Sequence, residues 1–232
     1  MNRVPHIVIT RAKKLKGEEA LGWEFTHHDF IQKSIEIPGA LSSKDISPNI
    51  ALTSKTGVQA FMEIINRLQL EKSSFSVFSI AHATKEFALR SGLHVKGDAP
   101  DATSLAKEIA SHRTLKTITH VTGNLRRPEL KVTLNKAGVE VTEIVAYRTE
   151  LTPISITEQI DGIVFFSPSA VDSLLLANSN SDIPCFCIGQ TTACHAKQKG
   201  FKTTYAPNAP TEEALINLLN DHFSKSTVHA QK

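Results

Sequence analysis

Hydroxyl side chains stand at several points where an apolar, strand-like run gives way to an amphipathic, helix-like segment. The start of a helix presents free backbone N–H groups and the positive end of the helix dipole, which together favour anions. Serine and threonine are also ordinary helix caps, so any single one is more often a cap than a ligand contact. As a set they suit a ligand with several acidic groups. The set is Ser54, Thr56, Thr84, Thr103, Ser167, Ser169, Thr191, Thr192 and Thr211.

Two of these helix starts offer more than a hydroxyl group. Residues 189–193 (GQTTA) place Gly189 and Gln190 before two threonines, so that backbone amides can approach a carboxylate closely. Residues 167–170 (SPSA) offer Pro168 at a first helical position, with free donors beside it. Further candidate partners for an acidic ligand are Thr10, Arg11, Lys55, Gly123, Asn124 and Arg126.

The elements that must position these residues alternate between strand and helix. Short apolar or β-branched runs bounded by turn residues predict strands at 4–10, 50–54, 75–80, 117–122, 162–167, 185–188 and 201–206. Amphipathic segments predict helices at 57–70, 84–91, 103–111, 128–137, 170–178, 191–199 and 211–223. Such alternation is typical of parallel sheets whose strands are connected by helices, so we expect an α/β fold.

An internal repeat organises the chain. Residues 79–93 (SIAHATKEFALRSGL) match residues 187–201 (CIGQTTACHAKQKGF), with Ile80 over Ile188 and Gly92 over Gly200, each pair 108 positions apart. Residues 52–61 likewise parallel residues 165–174. We therefore predict two copies of one α/β domain.

The repeat also predicts how the chain is divided. The second copy lacks a preceding strand and helix, whereas residues 6–21 supply such a unit without a partner. A discontinuous domain of residues 1–34 and 150–232 resolves this, with residues 38–146 forming an inserted domain. The connectors near 30–37 and 139–149 have strand-like compositions.

Composition limits the classes of function. A net charge of +3 and dispersed basic residues do not favour a nucleic-acid partner. No apolar run approaches membrane-spanning length, and the N-terminus does not resemble a signal peptide, so we expect a cytoplasmic protein. Cys185, Cys187 and Cys194 do not form a disulfide framework, and their position in and after a buried strand argues against a metal site.

The sequence lacks the characteristic motifs of two enzyme classes. A Rossmann nucleotide enzyme needs a G-x-G-x-x-G turn after its first strand, and VITRAKKLKGEE has none. A serine hydrolase of the α/β type needs a G-x-S-x-G elbow, which the sequence lacks.

Several ordered segments resemble the uroporphyrinogen-III synthase family. They are VITR at 8–11, LTSKTGV at 52–58, residues 119–149, FFSPSAV at 165–171, CIGQTTA at 187–193 and APNAPTEEAL at 206–215. The resemblance covers nearly the whole chain. It implies two flavodoxin-like domains with parallel sheets, joined by a two-stranded β-ladder.

The resemblance also implies an activity. Family members cyclise hydroxymethylbilane to uroporphyrinogen III, losing water and inverting the last pyrrole ring, without a cofactor. We accordingly expect a monomer that binds a tetrapyrrole and at most transiently contacts the preceding enzyme of the pathway. The alternative is a non-catalytic, two-domain protein that binds a polyanion or tetrapyrrole.

Tyr147 is the candidate catalytic residue. It matches the family's tyrosine in the connector, here VAYRT, where a phenol could hydrogen-bond the departing hydroxyl group. Its other possible role is that of an aromatic side chain packed on a β-ladder.

Overall fold

A computed structural model describes residues 3–179 and 182–229 of the chain. The predicted first domain thus includes residues 1–2, 180–181 and 230–232, which lie outside the described residues. The strands are β1 (His6–Ile9), β2 (Glu24–His27), β3 (Ile31–Ile35), β4 (Asn49–Leu52), β5 (Ser76–Ile80), β6 (Val95–Ala99), β7 (Thr117–Gly123), β8 (Glu140–Leu151), β9 (Gly162–Phe165), β10 (Cys185–Cys187) and β11 (Thr204–Tyr205). The helices are α1 (Lys55–Leu68), α2 (Ala83–Arg90), α3 (Ala102–Ser111), α4 (Glu129–Lys136), α5 (Pro168–Ala177), α6 (Gln190–Gln198) and α7 (Glu212–His229).

The chain forms two compact units. The first consists of Met1–Gln32 with Glu150–Lys232, and the second consists of Lys33–Thr149. Each unit has its own sheet and its own buried apolar clusters.

The first unit contains a parallel sheet of five strands in the order β11-β10-β9-β1-β2. Counted along the chain this is 2-1-3-4-5, the strand order of flavodoxin. Buried residues of α5 and α6 pack on one face, in a cluster with Phe165 and Cys187. Buried leucines of α7 pack on the other face, against Ile9 and Phe186. The sheet is therefore covered on both faces, as parallel sheets are.

The second unit contains six strands in the order β3-β8-β7-β4-β5-β6, and all neighbours from β8 to β6 are parallel. Helix α1 packs on one face through Val58 and Phe61, whereas α3 and α4 cover the other through Leu105 and Leu134. Counted from β4 to β8, the order is 3-2-1-4-5. The second unit therefore differs in strand order from the first, because here the first two crossovers build to one side of β4 before the chain returns to β7 on the other.

Strand β3 lies beside β8 at one edge of this sheet. The amide of Glu36 donates to the carbonyl of Ala146 at 2.9 Å, and the amide of Thr152 donates to the carbonyl of Phe30 at 3.0 Å. The residue number decreases from 36 to 30 on one segment while that of its hydrogen-bonded partner increases from 146 to 152 on the other, so the segments run antiparallel.

All seven predicted strands and all seven predicted helices are present, with shifted ends. Strand β6 was missed because its sequence, VKGDA, has little apolar character, and strand β2 was also missed. The helix expected within residues 6–21 is only a short 3-10 helix, Glu18–Leu21, flanked by Gly17 and Gly22 in left-handed conformations. The repeated glycines, Gly92 and Gly200, both follow a helix with positive φ angles of 79° and 98°.

Among the described helices, none combines the length and the apolar character that crossing a membrane would require. Cys185 and Cys187 are buried and Cys194 is exposed, and all three are free thiols.

Two leucines on α5 test the packing of the first unit. Leu174 is 2% exposed and Leu176 is 66% exposed. We expect Leu174→Ala to lower the free energy of unfolding by about 2–5 kcal/mol, because it leaves a cavity. Leu176→Ala should change it by less than about 0.5 kcal/mol. Denaturant unfolding of both variants measures the difference, and equal losses would contradict this packing.

Candidate functional site

The candidate site of the second unit lies where its strand order reverses. Strands β5 and β6 lie on one side of β4, and β7 and β8 lie on the other. In open α/β sheets, ligands bind at the carboxyl ends of the strands at such a reversal. The residues that follow β4 and those that end β7 are therefore the first to consider.

Ser54 follows β4 and caps α1. Its Oγ accepts the amide proton of Gly57 at 3.0 Å. The same oxygen lies 3.0 Å from the phenol oxygen of Tyr147, ninety-three positions later in the chain. The cap and the candidate catalytic phenol thus form one hydrogen-bonded pair at the reversal point.

A bulge and a glycine place the ring of Tyr147 there. Thr122 pairs with Val145 but Gly123 pairs with Tyr147, so β8 contains one extra residue, Ala146. The bulge brings Tyr147 to the face that also holds Ile144 and Ala146, against the cluster around α1. A Cβ atom at Gly123 would lie 2.7 Å from Cζ of the ring, so only glycine leaves room for it.

Asn124 extends the pairing of β7 with β8. Its backbone amide donates to the Tyr147 carbonyl at 3.2 Å. Its side chain accepts the amide proton of Thr149 at 2.7 Å and donates to the Thr149 carbonyl at 3.1 Å. These bonds fix the backbone on both sides of Arg148, next to Tyr147.

Two other predicted residues of this unit lie in first turns of helices. Lys55 is the exposed first residue of α1. Thr103 is the exposed second residue of α3, and the cap is Asp101, whose carboxylate accepts from the Ser104 amide at 2.8 Å. An Asp two positions before Thr103 was the sequence signal for this cap.

Arg126 belongs to an ionic group on the face of β7 and β8 opposite to the ring of Tyr147. Its Nε donates to Oε1 of Glu143 at 3.1 Å, and Nζ of Lys131 donates to Oε2 at 3.1 Å. Partial burial works against ionisation of Glu143, but the hydrogen bonds and charges of Lys131 and Arg126 hold its pKa below the usual value. Sequence analysis missed Glu143 and Lys131.

His120 lies beside this ionic group and is 3% exposed. Its Nε2 is 3.3 Å from the Thr53 hydroxyl, and its Nδ1 is 3.9 Å from Oε1 of Glu143. Burial lowers the pKa of His120 to about 4, an effect that Glu143 opposes and Arg126 reinforces. The imidazole is therefore neutral near pH 7.

In the first unit, Thr10 and Arg11 follow β1 at the equivalent edge. The buried hydroxyl of Thr10 donates to the Val164 carbonyl at 2.7 Å. Arg11 pairs with Glu212 at 2.8 Å, and its guanidinium carbon lies 3.9 Å from the centre of the Phe166 ring. Both side chains are thus engaged within the protein.

The remaining predicted residues open helices of the first unit. Ser167 caps α5, accepting the Ala170 amide proton at 3.3 Å, and its hydroxyl lies 3.0 Å from that of Ser169. The Thr211 hydroxyl accepts the Ala214 amide proton at 3.2 Å. Helix α6 starts after Gly189 without a side-chain cap. Gln190 and Thr191 are exposed there, whereas Thr192 is buried.

Within residues 3–179 and 182–229, no three His, Cys, Asp or Glu side chains lie close enough together to hold a metal ion.

Substituting Gly123 tests the close approach of Tyr147. We expect Gly123→Ala to lower the free energy of unfolding by about 1–3 kcal/mol, because the new methyl group overpacks the ring. In a Tyr147→Ala background the loss should nearly disappear, since the ring is gone. Denaturant unfolding of the four proteins measures this coupling, and equal losses in both backgrounds would contradict it.

His120 should make stability depend on pH. Its pKa is about 4 in the folded chain and 6.5 when unperturbed, so between these values the unfolded chain binds the proton first. Stability is fully present above pH 6.5 and is lost as the pH falls. We expect wild type to lose up to about 3 kcal/mol more than His120→Gln by about pH 4. Parallel curves of unfolding free energy against pH would contradict this.

Comparison with known proteins places the chain in a family. A family model described as HEM4, uroporphyrinogen-III synthase HemD, matches residues 19–217. No protein of curated function matches the sequence. The structure resembles that of uroporphyrinogen-III synthetase from Helicobacter pylori, with 16% identity, a TM-score of 0.68 and coverage of 94% of this chain and 99% of that one.

A mutant uroporphyrinogen III synthase from Thermus thermophilus is also similar. It has 16% identity and a TM-score of 0.69, and the match covers 95% of this chain and 99% of that one. At these identities the solved structures show a shared fold.

Proposed function

The chain belongs to the uroporphyrinogen-III synthase family, and from this premise we propose that its chemistry takes place around Tyr147 and Ser54. The activity is the cyclisation of hydroxymethylbilane to uroporphyrinogen III, with loss of water and inversion of the last pyrrole ring, in tetrapyrrole biosynthesis. The observation that supports the location is the 3.0 Å contact between the Ser54 hydroxyl and the Tyr147 phenol at the reversal of the strand order.

The reaction requires the enzyme to assist departure of the hydroxyl group rather than to supply a nucleophile. Breaking the C–O bond of the hydroxymethyl group releases hydroxide, which takes up a proton to become water, and leaves the azafulvene as an electron-poor cation. The substituted carbon of the last ring then attacks to give a spiro intermediate, which fragments and recombines with the ring inverted. We propose that Tyr147 hydrogen-bonds the departing hydroxyl group and that Ser54 orients the phenol.

The carboxylates of the substrate require charged groups and hydrogen-bond donors that are exposed. Lys55, Arg126, Gln190 and Thr191 are exposed at the starts of helices or just before them. We propose that these contact substrate carboxylates through charge, side-chain donors and nearby helix amides. The donors of Thr10 and Asn124, by contrast, hold the backbone, which suggests a supporting role.

We further propose that the two compact units are the family's two domains and that β3 and β8 form the two-stranded ladder connecting them. The antiparallel hydrogen bonds of residues 30–36 with residues 146–152 support this proposal. A cytoplasmic location, a monomeric state, cofactor independence and transient contact with the preceding enzyme stay predictions.

The nature of the product tests the activity. We expect the purified protein, given enzymatically generated hydroxymethylbilane and no added metal or organic cofactor, to yield the type III isomer. Chromatographic separation of the oxidised isomers measures it. Formation of the type I isomer alone, the spontaneous product, would favour the non-catalytic binding protein instead.

The chain contains two tyrosines, which provide a matched test of Tyr147. If its phenol assists departure of the hydroxyl group, Tyr147→Phe should lower kcat by about 10²- to 10⁴-fold, the range for losing a general acid. Tyr205, which stacks on Phe186, is the control, and Tyr205→Phe should leave kcat nearly unchanged. Equal turnover of the two variants would assign Tyr147 to packing.

A further inference from the structure

An ionic cluster lies across the sheet from the Ser54–Tyr147 pair. We call Arg126, Lys131, Glu143 and His120 the Arg126 cluster. The carboxylate of Glu143 accepts a hydrogen bond from Nε of Arg126 and another from Nζ of Lys131, each 3.1 Å long. Because the imidazole of His120 is neutral at pH 7, two positive charges face one negative charge. The cluster therefore holds one positive charge in excess.

The excess charge faces solvent. The side chain of Glu143 is 11% exposed, whereas those of Arg126 and Lys131 are 37% and 42% exposed. The carboxylate thus lies beneath the two cations, of which Arg126 is three residues beyond the end of β7 and Lys131 is in the first turn of α4. Each cation has more N–H groups than the one that donates to Glu143, so the pair is suited to an incoming carboxylate.

One ring nitrogen of His120 is buried within the Arg126 cluster. Nδ1 of His120 has no hydrogen-bond partner among the described residues, although Oε1 of Glu143 is 3.9 Å away. That same oxygen accepts the Nε proton of Arg126. A buried polar atom without a partner is costly, so its retention needs a reason. If Nε2 accepts from the Thr53 hydroxyl, Nδ1 bears the imidazole proton and points it towards Glu143.

We propose that Arg126 and Lys131 form a subsite for one carboxylate of the substrate, and that His120 is the donor to which Glu143 turns when that carboxylate takes over the cations. Closing the gap between Nδ1 and Oε1 needs a movement of about 1 Å. The exchange leaves each charged group with a hydrogen-bond partner in both states. It involves no covalent step and no proton transfer. His120 acts through Glu143 and is a positioning residue.

This inference rests on the proposed function, because it takes its ligand from the carboxylates of hydroxymethylbilane. Steady-state kinetics of matched variants test it. Arg126→Gln and Lys131→Met should each raise KM by about 10-fold, the effect of losing one charge-assisted hydrogen bond. Their kcat should stay within about twofold, because binding that is equal in ground and transition states affects KM alone.

The controls remove the same charge from neighbouring sites. Arg127→Gln alters the next residue, which is exposed, and Lys136→Met alters an exposed lysine on the same helix. Both should leave KM near the wild-type value. Equal KM values for Arg126→Gln and Arg127→Gln, in an enzyme that makes the type III isomer, would overturn the subsite alone. A wild type that makes only the type I isomer would overturn the proposed function and the subsite with it.

Variants of His120 test the exchange. His120→Leu cannot donate to Glu143 and should raise KM severalfold, whereas His120→Gln keeps an N–H donor and should recover most of that loss. Combining His120→Leu with Arg126→Gln should add little to the effect of Arg126→Gln, since both act on one interaction. Additive effects, or equal KM values for the Leu and Gln variants, would overturn the role of His120.

Discussion

A parallel sheet must be covered on both faces, and this constraint determines where the protein can do chemistry. In each unit, helices take up both faces, so the strands are buried in apolar clusters. Most polar side chains of the candidate site therefore lie where strands end and helices begin. The reversal of strand order separates the loops at one point of that edge. In the second unit this point is occupied by Ser54, Gly123 and Tyr147.

The two sheets share one spatial order, although the chain builds them differently. Reading across each sheet, β6-β5-β4-β7-β8 corresponds to β11-β10-β9-β1-β2. The repeat in the sequence covers only the strands that follow each other in both units, which is why it could be found. The strands completing the first unit come from the start of the chain, so the difference in order could not be predicted from the repeat. Strand β6 was missed because an edge strand needs few apolar residues.

Local chemistry could be predicted at the candidate site, but long-range pairing could not. Ser54 and Ser167 are caps at the ends of strands, as their neighbours in sequence indicate. That Ser54 rather than Ser167 meets Tyr147 depends on a register across ninety-three residues. Glu143 and His120 had polar character within apolar strands, and this was an available signal. Their significance becomes clear only from the pairing of His120 with Glu143 on neighbouring strands.

The bulge at Ala146 places two groups of polar side chains on opposite faces of the same pair of strands. Alternation along β8 would place Tyr147 on the face of Val141 and Glu143, beside two cations. The extra residue moves its ring to the face of α1, where its phenol meets the neutral hydroxyl of Ser54. The cation left by departure of the hydroxyl group would be destabilised by nearby positive charge, because charges interact more strongly where the local dielectric constant is low. In the proposed function, neutral donors near the breaking C–O bond and cations on the other face for carboxylates would meet both requirements of the substrate. A single inserted residue in β8 is sufficient to produce that separation.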